Sequence, residues 1–226
     1  ELLTSLFAGD AEYYAQHGED FRLNDDWHHT KKSWSDAAVL NTVENTDFLQ
    51  AVTMLATLKR NKASTAERPP AVSAKREDVL KLSLQDYLEW RDPLREAFRW
   101  AATFLADRYI FAAREVPYPK QLVPLAAIRV LLGSKADLIG VRERIIQWYW
   151  CGILGELYGG ANETRFGMDI QDVVAWVESG SEPRTVRDAN FAPTRLLSLQ
   201  SRLAAAYKGL AALLMKHGGR DFASGT

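Results

Sequence analysis

The chain has 226 residues, 47% of them hydrophobic and 25% charged, a globular balance that excludes intrinsic disorder as its general state. Its 28 basic and 29 acidic side chains leave a formal net charge of −1, so no global field draws it to nucleic acid or an anionic membrane. Cys151 is the single cysteine, which excludes an intrachain disulfide and fits a reducing, cytoplasmic compartment. With no apolar run of about 18 residues, a membrane span is not expected either.

Glu1 opens the chain without a signal-peptide pattern, and "GGRDFASGT" closes it just after a helix stop. Both ends read as cut, so 1–226 is expected to be one helical domain excised from a longer multidomain protein, with a possible N-terminal subdomain over residues 1–60. In that segment "NDDWHH" places Asp25 at helical spacing from His28 and His29. Adjacent histidines point about 100° apart on a helix and no distant Cys or His cluster completes a metal site, so a solvated polar face is expected.

From residue 45 or 46, "NTDFLQAVTMLATLKR" sets Phe48, Leu49, Val52, Leu55 and Leu58 on one stripe, which predicts a helix. Residues 61–75, with Pro69-Pro70, read as a flexible or partner-binding loop. "SLQD" from Ser83 has capping-box spacing, and Asp92-Pro93 reads as a new cap and start, so two helices are predicted to abut there at an angle. The second carries Leu94, Ala97, Phe98, Ala101, Phe104 and Leu105 on one face. A short helix follows over residues 120–132, stopped by Gly133.

The next segment, "WYWCGILGELYGGANETRF" from Trp148, is apolar almost all round. Gly152, Gly155 and Gly159 fall within a 60° arc at about 100° per residue, a stripe that would let a neighbouring backbone come close. The predicted fold is therefore all-α, an irregular multi-helix bundle around this central, glycine-striped helix. Beyond it, Phe166, Ile170, Val173, Val174 and Val177 share a face of a helix between Asn162 and Gly180. A last helix is predicted over residues 194–217, with Leu196, Leu199, Leu203, Tyr207, Leu210 and Leu214 as its apolar stripe.

Candidate chemistry is sparse. Glu156 lies on an otherwise apolar helix and needs a partner, for which Arg165 is a candidate; Glu163 is nearby. A structural ion pair is the commoner outcome for such a group, and a Glu156, Glu163 and Arg165 cleft with general acid–base chemistry is the rival. Cys151 has no basic neighbour in sequence to activate it. No nucleotide-binding glycine loop or Gly-x-Ser-x-Gly elbow occurs. Arg195, Arg202 and Lys216, with Arg220 beyond, flank the last stripe and could touch phosphates, while Lys208 points elsewhere. No cofactor, metal or membrane is called for, and the oligomeric state is left open.

Four segments in order, "KREDVLKLSLQDYLEW", "QLVPLAAI", "WYWCGILGELYGGANETRF" and "AAYKGLAALLMKHGGRDFASG", resemble the helical region of GmrSD-type bacterial proteins. The resemblance runs from about residue 45 to the end. It implies a part in modification-dependent restriction or anti-phage defence. Such proteins join an N-terminal ParB-like domain, which hydrolyses nucleotides through an Asp-Gly-Gln-Gln-Arg-type motif, to a C-terminal His-Asn-His-type DNA nuclease. Neither motif occurs here, so no catalytic residue carries over. The resemblance implies a coupling domain whose partners are its neighbouring domains and possibly DNA, with a plain interaction module as a further alternative.

Overall fold

The computed structural model describes residues 6–160 and 162–219. Among them are eleven α-helices, several short 3-10 turns and no strand. In chain order the helices are α1 (Ala11–His17), α2 (Leu23–Ser33), α3 (Asn45–Ala63), α4 (Arg76–Val79), α5 (Leu84–Ala106), α6 (Leu122–Leu132), α7 (Ile139–Leu154), α8 (Glu163–Ser179), α9 (Arg184–Asp188), α10 (Arg195–Ser198) and α11 (Ala205–Lys216).

The all-helical bundle is organised around the short helix α6. Every residue from Leu122 to Ile128 is buried, as expected of a helix with apolar residues on all sides. It packs against α3, α5 and α8. Gly133 stops it at a positive φ of 53°, a conformation that costs glycine little. The glycine-striped helix α7 lies beside this centre and contributes Ile145, Trp148, Tyr149 and Ile153 to the core, with α9 and α11 against its other sides. Phe21 through Ala212 contribute to one continuous apolar cluster.

Close approach at the glycines is real but differs from one to the next. A Cβ at Gly152 would overlap the Gln121 amide, whose Nε2 donates to the Tyr149 carbonyl at 3.1 Å. At Gly155 it would stand 3.1 Å from the Cα of Ala189. Gly159 lies beyond the helix, where a Cβ would meet nothing nearer than 3.7 Å. The tightest backbone approach is elsewhere, at Gly167, where a Cβ would stand 2.6 Å from the Val72 carbonyl.

Three further expectations need correction. Pro93 does not start a new helix: α5 runs through it for 23 residues. Pro93 cannot donate to the carbonyl four residues earlier, but both Pro93 and Glu89 are exposed, so the unmade bond falls on the solvent side of the helix while Leu84, Tyr87, Leu94, Ala97 and Phe98 stay in one buried stripe. The 61–75 loop is also more ordered than expected. Helix α3 continues to Ala63, Ala74 is fully buried, and Thr57 and Ser73 exchange hydrogen bonds at 3.1 and 3.2 Å. Residues 65–71 form the loop's longest exposed run.

The third correction is the last helix. It is broken into α10 and α11, with Leu197 and Leu203 each 84% exposed and Leu196 and Leu214 also exposed. The buried face of α11 consists of Ala205, Ala206, Gly209 and Ala212. Small residues win because α11 lies almost on α7: a Cβ at Gly209 would stand 2.7 Å from the Ile153 Cγ2. Leucines at those positions would not fit.

At the N-terminal side, Trp34, Phe48 and Phe98 stack at 5.2 to 6.1 Å between ring centres. The acidic residue that matters in "NDDWHH" is Asp26. It accepts from Tyr87 Oη at 2.6 Å, Arg91 Nη1 at 3.0 Å and Arg95 Nη2 at 2.7 Å, tying α2 to α5. Burial, and then the Asp26 charge, raise the Tyr87 pKa well above the usual phenol range. His28 instead pairs with its own turn, Nδ1 to the Asn24 carbonyl at 2.7 Å.

Candidate functional site

The residues singled out around Glu156 meet at the end of α7. There the Leu157 amide donates to the Gly152 carbonyl at 3.0 Å and the Glu156 amide to the Ile153 carbonyl at 3.1 Å. These two bonds are those of a Schellman closure, which places Glu156 in the left-handed region at φ 53°. The nearest glycine, Gly155, sits one residue too early to relieve it.

In this position the Glu156 side chain faces solvent and forms a two-point pair with Arg195, Oε2 to Nε at 3.0 Å and Oε1 to Nη2 at 2.8 Å. The guanidinium holds the Glu156 carboxyl below its ordinary pKa. Tyr118 stands alongside. Its phenol pKa is raised mainly by burial and further by the Glu156 charge.

Arg165 is therefore not the partner of Glu156. Its Nη1 donates to Thr185 Oγ1 at 2.9 Å, and its Nη2 lies 3.7 Å from Asp188. Thr185 Oγ1 donates in turn to Asp169 Oδ1 at 2.6 Å, and the Tyr158 hydroxyl donates to Asp169 Oδ2. Asp169 is 1% exposed. Burial raises its pKa, against the opposing pull of its hydrogen bonds to Thr185 and Tyr158. The Trp148 indole N–H is buried nearby, short of hydrogen-bond geometry.

Glu163 lies apart from both groups, on the first turn of α8, in a groove shared with Arg60, Val72 and Lys75. Glu156, Glu163 and Arg165 thus do not converge on one cleft. The expected basic flank is dispersed as well. Arg195 is engaged by Glu156, Arg202 lies in the break between α10 and α11, Lys216 ends α11, and Arg220 lies outside the described residues. Cys151 is half-buried, its thiol pKa raised by desolvation and then by the Glu182 charge, so it is poorly suited to nucleophilic attack. Among the described residues no group of three or more His, Cys, Asp or Glu is arranged to hold a metal, and no helix is long and apolar enough to cross a membrane.

Asp169 is the important residue that pattern reading passes over. It falls three residues after Phe166 and four before Val173, inside the apolar stripe of α8. A carboxylate at such a position demands buried donors, which Tyr158 and Thr185 supply.

No family model matches the chain, and no solved structure matches it. An uncharacterized protein of Methanocaldococcus jannaschii is 26% identical over 85 residues. That stretch is 35% of this chain and spans only 15% of the archaeal protein.

Proposed function

We propose that the chain is a non-catalytic helical coupling domain of a modification-dependent restriction or anti-phage defence protein, linking a nucleotide-hydrolysing domain to a DNA nuclease domain. The observation that carries this reading is the joint after α7. The Glu156–Arg195 pair fastens the end of α7 to α10, while Asp169, Thr185 and Arg165 fasten α8 to α9. Glu156 and Arg165 of this joint fall in the segment "WYWCGILGELYGGANETRF", where the resemblance to GmrSD-type proteins is densest. Charged groups committed to one another position helices and are poorly placed to turn over a substrate.

The test is charge reversal in the full-length protein. Glu156→Arg is expected to leave the fold and nucleotide hydrolysis in place while reducing DNA cleavage and phage protection, and Glu156→Arg with Arg195→Glu is expected to restore them. Unchanged cleavage and protection in the single variant would overturn the reading. So would a flanking reading frame that holds neither a nucleotide-hydrolase nor a nuclease motif.

A further inference from the structure

A groove of about 450 Å³ runs between the α5–α6 connection and α11. We propose that it binds a nucleotide unit, with a planar base set against the Tyr109–Phe111 pair, face to face with one ring and edge-on to the other, and the attached phosphate held by Arg114, Arg202 and Lys208.

The aromatic wall is built in spite of its backbone. Helix α5 closes as a Schellman motif, with the Ile110 amide donating to Leu105 O at 3.1 Å and the Tyr109 amide to Ala106 O at 3.0 Å. The residue at the left-handed position is Tyr109, at φ 61°, where glycine is the usual occupant and a bulky side chain is disfavoured. Ile110 is fully buried and provides the core contact of the motif, whereas Tyr109 is 42% exposed and Phe111 is 57% exposed. Their rings meet edge to face at 6.1 Å, and both side chains stay partly exposed. A large aromatic held in a disfavoured backbone conformation and turned outward is shaped for a ligand rather than for packing.

The charge of the groove is complementary to phosphate. Three cations line it against one carboxylate, Glu115. Glu115 Oε2 is occupied in accepting from the Phe111 and Ala112 amides at 2.9 and 3.0 Å, which fixes the loop that displays Phe111. Lys208 is held on the groove by its bond to the Val116 carbonyl at 3.2 Å. Aromatic faces beside cations are the combination that takes a base and its phosphate together, with little dependence on which base it is. The volume suits one such unit.

None of these residues belongs to the Glu156–Arg195 or Asp169 networks, so this inference can fail without affecting the coupling reading. The test uses the 226-residue chain with a fluorescent adenosine monophosphate derivative and a labelled ten-base oligothymidylate, followed by anisotropy at low and high salt. Saturable binding is expected, weakened about tenfold or more by Tyr109→Gly and by Arg114→Glu with Arg202→Glu. Tyr109→Phe, which keeps the ring, is expected to retain affinity. Similar affinity for both probes assigns the groove to free nucleotides. A much tighter, steeply salt-dependent oligonucleotide assigns it to a single strand. Absence of binding by either probe up to about 1 mM, or binding indifferent to both the aromatic and the charge variants, would overturn the proposal.

Discussion

The helix ends that turn through a left-handed residue come in two kinds in this molecule. Helices α1 and α8 finish on Gly18 and Gly180, at φ 72° and 82°, each closed by one bond to the carbonyl four residues back, while α5 and α7 make Schellman closures with Tyr109 and Glu156 at the left-handed position. The glycine ends satisfy backbone carbonyls and stop. The other two accept a disfavoured conformation, and each projects a side chain outward: an aromatic ring into a basic groove, and a carboxylate onto Arg195. The difference teaches that a left-handed helix terminus without its glycine marks a residue retained for what it displays.

The contrast can be broken most forcefully at Gly155, the glycine that stands beside the left-handed position instead of in it. Gly155→Leu is expected to destabilise by about 1–3 kcal/mol, because its Cβ would be pressed against the Ala189 backbone. A thermal melt indistinguishable from the parent would mean that α7 and α9 are not in firm contact there. Gly180→Ala comes next. Nothing lies within 4 Å of a Cβ at that site, so the expected loss of about 1 kcal/mol in urea denaturation is purely conformational.

At the other class of end the sign reverses. Tyr109→Gly is expected to stabilise by about 0.5–1 kcal/mol as backbone strain is relieved; a clear loss of stability would show that the ring is held by packing and weaken the comparison. The smallest effect belongs to Glu156, whose exposed pair with Arg195 is screened by water. Its pKa is depressed in the folded state, so the pair supports the fold above the ordinary carboxylate range and is lost as pH falls through the depressed value. Asp169 has the opposite sign. With its pKa raised on folding, it favours the folded state progressively as pH falls from the raised value towards the ordinary one. Melts of Glu156→Gln are therefore expected to lose a small part of the acid-side decline that the parent shows, and an unaltered pH profile would count against the pair's contribution.

Helices α3, α6 and α8 are legible in the sequence because apolar spacing coincides with explicit stops, such as Gly133 and Gly180. The two misread helices fail for opposite reasons. Pro93 resembles a start, yet its missing hydrogen bond falls on the exposed side of α5, away from its buried stripe. The final leucine stripe resembles a core face, yet α7 admits only Ala205, Ala206, Gly209 and Ala212 against Trp150 and Ile153. At the site, the need of Glu156 for a partner is legible and the partner is not, since α10 reaches it only through tertiary packing. Tyr109 carries no local signal at all. Nothing in "FLADRYIF" announces a left-handed turn, because the residue that normally would is absent.

The uninterrupted run of α5 through Pro93 has a mechanical consequence. At 23 residues it is a strut about 35 Å long, riveted to α2 by the Asp26 cluster in its first half and carrying Tyr109 just past its far tip. A push on the aromatic ring is therefore passed along one continuous helix towards the Asp26 cluster, with the unmade hydrogen bond at Pro93 as the place on that path where it can bend.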